Sequence, residues 1–351
     1  MNAMSDSVAS PTVWLVTIVV TMGVLLVDLL IIARRAHEPS MAEVSRHLAF
    51  FIGLAVIFGV ALWLFAEPHA LSPHPGPEFF AGWLTEYSLS IDNLFIFLII
   101  MNKFAVPRKY QQTALMIGIV LALVMRAIFI VVGAAAINQF SWVFYIFGAF
   151  LLWTAWKLAR EGAEDEDEYE ENRLVRFAQD HLPATREWNG TKLFSKENGK
   201  RLITPMFLVV LTLGTTDLLF ALDSIPAIYG LTQDPYLVFT ANVFALMGLR
   251  QLYFLIGGLL ERLIYLSYGL AVLLGFIGVK LILHAMHENE FSFINGGHHI
   301  AWAPDIPIWL SLVVIIGTLA VTAVVSLLAS ARMSAAEQDA RTGPRRDWDN
   351  D

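Results

Sequence analysis

The apolar residues of this chain fall in uninterrupted blocks of about twenty, and that pattern constrains the fold more than any other feature. About twenty apolar residues in a helix cross the hydrocarbon core of a bilayer. Inside lipid every backbone N–H and C=O must be satisfied within the segment, which a helix achieves alone. Nine such blocks are read, at roughly 12–33, 47–66, 79–101, 111–134, 139–159, 204–225, 236–258, 263–284 and 306–330. The alternating ten-residue pattern of a membrane β-barrel is not seen. Only 15% of the 351 residues are charged, against about 25% in a typical soluble domain. The expectation is an all-α, polytopic transmembrane bundle forming a single domain over 1–351. A cytoplasmic loop at 160–203 and a cytoplasmic tail at 335–351 complete it.

Loop charge supplies the orientation, because connections rich in Lys and Arg stay in the cytoplasm. Arg34, Arg35 and Arg46 follow span one; Lys103, Arg108 and Lys109 follow span three. Lys157 and Arg160 close span five, Arg262 separates spans seven and eight, and Arg332, Arg341, Arg345 and Arg346 follow span nine. The alternate connections 67–78, 134–140, 226–235 and 285–304 contain neither Lys nor Arg, nor does the segment before span one. These counts place the N-terminus outside and the C-terminus in the cytoplasm. The first block is read as a retained helix, since a secretory signal begins with a basic region that is absent here.

Two of the blocks contain acids. Span three reads Thr85-Glu86-Tyr87-Ser88-Leu89-Ser90-Ile91-Asp92-Asn93, and span six reads Thr216-Asp217-Leu218-Leu219-Phe220-Ala221-Leu222-Asp223-Ser224. Both run Thr, acid, five residues, Asp, small polar residue. A charge at the bilayer centre costs several kcal/mol, so an intramembrane acid is a functional-site hypothesis by default. At 100° per residue, positions seven apart nearly align while positions six apart differ by about 120°. Glu86 thus shares a face with Asn93, and Asp217 with Ser224, while Asp92 and Asp223 point elsewhere unless the helix is distorted. Pro226 and Gly214 flank the second motif, so span six is expected to break near its acids.

Span four carries Arg126 and span seven Arg250, which strengthens a likeness between spans 3–5 and 6–8. An odd number of spans separates the two copies, so the second is inverted, an arrangement recurrent in secondary transporters with midplane sites. The arginines are read first as counter-ions to the carboxylates and second as substrate contacts. Lys280 is either a further counter-ion or a residue reaching toward the interface. Asp28 is either a site acid or an interfacial residue of span one, and Asn242 either a ligand or a packing contact. The outer-side histidines His69, His74, His284, His287, His298 and His299 are read as loop residues, with a peripheral metal site as the alternative. The acidic run Glu164–Glu171 is read as a solvated linker.

The strings Glu86–Asn93 and Asp217–Pro226 resemble those of the TerC family of bacterial membrane proteins, named for tellurium resistance, and the similarity runs from span one to span nine. The resemblance implies kinship with LysE-type exporters, manganese efflux and the supply of manganese to secreted enzymes. By match of motif it implies that Glu86, Asp92, Asn93, Asp217, Asp223 and Ser224 are the functional, metal-binding residues, with Asp28, Arg126, Arg250 and Asn242 supporting them.

The expected function is therefore export of a divalent cation across the bacterial inner membrane, with no resident cofactor and no enzymatic reaction. Carboxylate, amide and hydroxyl oxygens suit Mg²⁺, Ca²⁺ and Mn²⁺; the choice of Mn²⁺ rests on the resemblance. The absence of cysteine disfavours a soft-metal pump and removes thiol chemistry. Carboxylates gathered at low dielectric repel one another, so a cation and protons compete for them, and proton coupling is a further expectation. The alternative is an interaction protein at the secretion machinery that hands metal to secreted proteins. An aspartyl protease is disfavoured because Gly214-Thr215-Thr216-Asp217 departs from Gly-x-Gly-Asp. Nothing points to nucleic acid, and the oligomeric state is left open.

Overall fold

The computed structural model describes residues 7–34, 40–140, 142–161, 190–197, 200–256, 265–287 and 302–332, with single residues in the connections between them. The helices are α1 (Pro11–Arg34), α2 (Met41–Phe65), α3 (Pro75–Lys103), α4 (Arg108–Gln139), α5 (Val143–Glu161), α6 (Pro205–Tyr229), α7 (Pro235–Met247), α8 (Leu249–Ile256), α9 (Leu266–His287) and α10 (Ile308–Arg332). Seven candidate spans are long and apolar enough to cross a membrane: α2, α3, α4, α6, α7 with α8, α9 and α10. α1 and α5 coincide with the other two expected blocks. Lys157 and the terminal Arg160 give α5 a polar C-terminal end.

Local chemistry sets the helix starts. Thr204 caps α6: its Oγ1 accepts from the Phe207 amide and donates to the Lys192 carbonyl, and Pro205 follows at the first helical position. Asp234 caps α7 by accepting from the Tyr236 amide at 2.8 Å, again with proline next. A short side-chain acceptor satisfies an orphan N–H, and proline there sacrifices no helical bond.

α7 is the hub. Every residue from Tyr236 to Met247 is buried, as suits a sequence that is apolar on nearly every side, with Thr240 and Asn242 as its polar interruptions. α3 and α4 pack against it, α3 and α4 also pack against α6, and α5 pairs along its length with α9. α10 lies on α3 and α9, and α2 on α3 and α8. The peripheral helices present large apolar side chains outward, among them Val19, Ile57, Leu64, Val313, Ile316 and Val321, as lipid contact requires. Two close approaches depend on glycine. A Cβ at Gly214 would collide with the Leu121 side chain, so its absence lets α6 press onto α4. A Cβ at Gly148 would stand 2.6 Å from Ile282 Cγ1 and 2.9 Å from the Gly278 carbonyl, which brings α5 against α9.

Three features differ from the sequence expectation. α6 is continuous through Pro226; the proline removes one hydrogen bond without ending the helix, because neighbouring helices hold the last turn, where Ser224 to Tyr229 are all buried. The interruption falls in span seven instead. The Gly248 amide bonds back to Leu246, closing α7 before α8 begins. Leu48 and Tyr87 close over that glycine. Finally, the loop 160–203 contains an antiparallel hairpin, β1 (Phe194–Glu197) paired with β2 (Lys200–Ile203). Nearby, Trp188 stacks on Tyr110. The acidic run Glu164–Glu171 and the tail 335–351 lie outside the described residues.

A buried charge cluster as the candidate site

Arg126 of α4 is fully buried, at 0% exposure. Its Nε donates to Asp217 Oδ2 at 3.2 Å and its Nη2 to Asp217 Oδ1 at 3.2 Å, a two-point clasp on one carboxylate. Nη1 donates to Ser224 Oγ at 3.3 Å and to Asn242 Oδ1 at 3.0 Å, and it also forms an ion pair with Glu86 Oε1. Glu86, also at 0% exposure, receives a bond from Ser90 Oγ on the next turn of α3. Asn242 is fixed by donating from Nδ2 to the Val238 carbonyl at 2.8 Å. One guanidinium thus gathers residues from α3, α6 and α7.

The helical arithmetic explains the set. Asp217 and Ser224 lie seven apart on α6, and both meet Arg126. Asp223 is turned away: half-buried, it accepts from Thr154 Oγ1 of α5 at 3.0 Å. Because α6 is unbroken, the four expected acids do not form one cluster; Glu86 and Asp217 meet, and Asp223 does not join them. Asn93 is buried on α3, two turns from Glu86. The side chains of Asp92 and Asp28 lie outside the described residues. Arg250 is buried beside Gln251 next to the α7–α8 break. Among the described residues, no three His, Asp or Glu side chains converge as a ligand set.

Other expected polar residues lie away from this cluster. His284 accepts from Gln233 Nε2 at 2.7 Å and packs edge-on against Phe144. Lys280 Nζ donates to Ser311 Oγ at 3.2 Å. One network lay outside the residues singled out from the sequence. Buried Glu78 accepts from Thr232 Oγ1 at 2.6 Å and from the His74 amide at 2.9 Å. Buried Asp234 accepts from Ser7 Oγ at 2.9 Å and from the Val8 amide at 2.6 Å, tying the N-terminal segment to the start of α7. Asp234 sits in a Gln-Asp-Pro string that reads simply as a turn; a helix-capping pattern was the one available hint.

Fold and site together define a polytopic helical membrane protein organised around an intramembrane Arg–carboxylate cluster. The family model described as integral membrane protein TerC family matches residues 71–334, and the chain belongs to that family. It is 48% identical over 321 residues to an uncharacterized membrane protein of Mycobacterium tuberculosis (strain H37Rv), covering 91% of this chain and 79% of that one. It is 37% identical over 334 residues to an uncharacterized membrane protein of Myxococcus xanthus, covering 95% and 98%. It is also 37% identical over 325 residues, covering 92% and 96%, to the Escherichia coli K12 protein named "Putative membrane-bound redox modulator Alx". No solved structure matches.

Proposed function

We propose that the chain is a secondary transporter that exports a divalent metal cation, Mn²⁺ by the family resemblance, with protons as the counter-flow. It sits in the bacterial inner membrane with its N-terminus outside. One observation carries the reading: carboxylates from two different helices share a single buried guanidinium, with an amide and a hydroxyl oxygen beside them. Two carboxylates facing one arginine leave a net negative charge deep in the bundle. Such a charge is retained at high cost unless a cation visits it. All four groups around Arg126 offer oxygen, the donor that hard divalent ions prefer. In this reading Arg126 is the resident cation. It fills the site between cargo ions and swings aside, or shares the carboxylates, when a metal arrives. Asp223, held by Thr154 on the other face of α6, is a second stop for the ion, and Asp92 is its counterpart on α3.

The pattern of helix partners supports an inverted repeat of α3–α5 with α6–α9. Exchanging α3 with α6, α4 with α7 and α5 with α9 turns the α3·α7 contact into α6·α4 and leaves α5·α9, α3·α6 and α4·α7 unchanged. The relative's name points to redox modulation. This chain has no cysteine, so any redox effect passes through the metal it moves rather than through a thiol of its own.

The test is Mn²⁺ flux into liposomes holding the purified protein, with and without a pH gradient. Glu86→Gln and Asp217→Asn are each expected to lower flux at least tenfold. Wild-type flux in both variants would refute the site. Absence of flux in the wild type, restored by a secretion-machinery partner, would favour the interaction protein instead.

A further inference from the structure

Five polar atoms on six consecutive residues of α3 have no hydrogen-bond partner among the described residues: Trp83 Nε1, Thr85 Oγ1, Glu86 Oε2, Tyr87 OH and Ser88 Oγ. Thr85, Glu86 and Ser88 are at least nine-tenths buried, with exposures of 1%, 0% and 2%. Native proteins pair nearly all buried polar groups, and a hydroxyl in a membrane helix ordinarily bonds back to the carbonyl four residues earlier. Thr212, Thr215 and Thr240 do so here, to Leu208, Leu211 and Tyr236. Thr85 and Ser88 do not. The clustering is local, since the other atom of this kind is Ser72 Oγ in the α2–α3 connection.

We propose that the turn of α3 over residues 83–88 is wetted, so that water and a hydrated divalent cation reach the unpaired oxygen of Glu86. Glu86 has two faces of chemistry. Oε1 is occupied by Arg126 and Ser90, whereas Oε2 is available to an incoming ligand. Thr85 and Ser88, three apart, share one side of the helix, Trp83 and Tyr87, four apart, share another, and Glu86 stands between Thr85 and Trp83, about 100° from Thr85. Oxygen donors spaced around one turn replace hydration water stepwise, which suits a hard cation that sheds its shell reluctantly. The inference deepens the transport reading and depends on it only for the identity of the ion; the presence of water along α3 stands independently.

The natural absence of cysteine permits a direct test. Single variants Thr85→Cys, Ser88→Cys and, as a dry control, Leu94→Cys on the same helix are treated in membranes with a small, water-soluble cationic thiosulfonate. Leu94 is 0% exposed. Modification at 85 and 88 is expected at least tenfold faster than at 94, and Mn²⁺ is expected to slow it several-fold. Rates at 85 and 88 as slow as at 94 overturn the proposal. Fast rates indifferent to Mn²⁺ uphold the wetted turn and count against Mn²⁺ as the cargo. Hydroxyl-radical footprinting of the unmodified protein guards against misfolded variants. Oxidation of Trp83 and Tyr87 above that of buried Tyr229 supports water at this segment, and equal protection refutes it.

Discussion

Replacing Arg126 by methionine isolates what the guanidinium contributes. The substitution keeps most of the side-chain volume but removes the donors to Asp217, Ser224 and Asn242 and the ion pair with Glu86. Two carboxylates then sit in the bundle without a cation. Removing one partner of a buried pair typically costs about 3–5 kcal/mol, most of it the penalty of the charge left behind. Unfolding entropy of about 2.1 cal/mol/K per residue over a chain of this length converts that loss to a fall in Tm of about 4–7 °C. Thermal unfolding of detergent-solubilised protein, followed by size exclusion, measures it. The triple variant Arg126→Met, Glu86→Gln, Asp217→Asn removes the stranded charges and is expected to regain more than half of the loss. Mn²⁺ should protect Arg126→Met more than wild type, because ligand at a hundredfold its Kd adds about 2.7 kcal/mol and the arginine no longer competes. A fall below about 1 °C in the single variant would refute the reasoning, as would a triple variant no more stable than the single.

Other consequences are open to similar measurement. Gly214→Val should force α6 off α4 through Leu121 and lower stability, read by thermal unfolding, by more than overpacking of a tolerant site does, about 1–3 kcal/mol; a Leu121→Ala background should relieve it. Asp234→Ala removes the cap of α7, worth about 0.5–2 kcal/mol, and frees Ser7 and Val8. Hydrogen exchange should then rise in the N-terminal segment and at Tyr236, and an unchanged pattern would contradict the tether. Thr154→Val, which takes one hydrogen bond from Asp223, should alter stability by about 1 kcal/mol yet change Mn²⁺ flux several-fold. Equal flux would remove Asp223 from the ion's route.

The bilayer explains why so much of the helix layout was legible. Lipid imposes one length and one composition on each span, so the apolar blocks and the helices coincide. The face arithmetic was legible too, since a regular helix fixes angles without tertiary knowledge: Asp217 and Ser224 meet one guanidinium and Asp223 does not. What the sequence hid was contact between distant segments. Nothing local says that Ser7 reaches Asp234, 227 residues away, or that Thr154 faces Asp223. The kink signals misled for a related reason. Proline and glycine near the acids of span six promised a break, but tight burial holds Pro226 in line, while Gly248, flanked by Met247 and Leu249 with no proline near, is where the ladder stops.

The position of Arg126 has a mechanical corollary. Its hydrogen bonds run from α4 to α6 and α7 while its ion pair runs to α3, so it crosses the seam between the two proposed halves. A slip of one helical turn, about 5.4 Å, exceeds the reach of the bonds to Asp217, Ser224 and Asn242, so those fail together, while the ion pair to Glu86 lies within one half. In the proposed two-half arrangement the guanidinium would act as a latch pin that keeps the halves in register. In the transport proposed above, a competing positive charge, a metal ion or protons on the acids, would withdraw the pin and so tie sliding of the halves to the arrival of cargo.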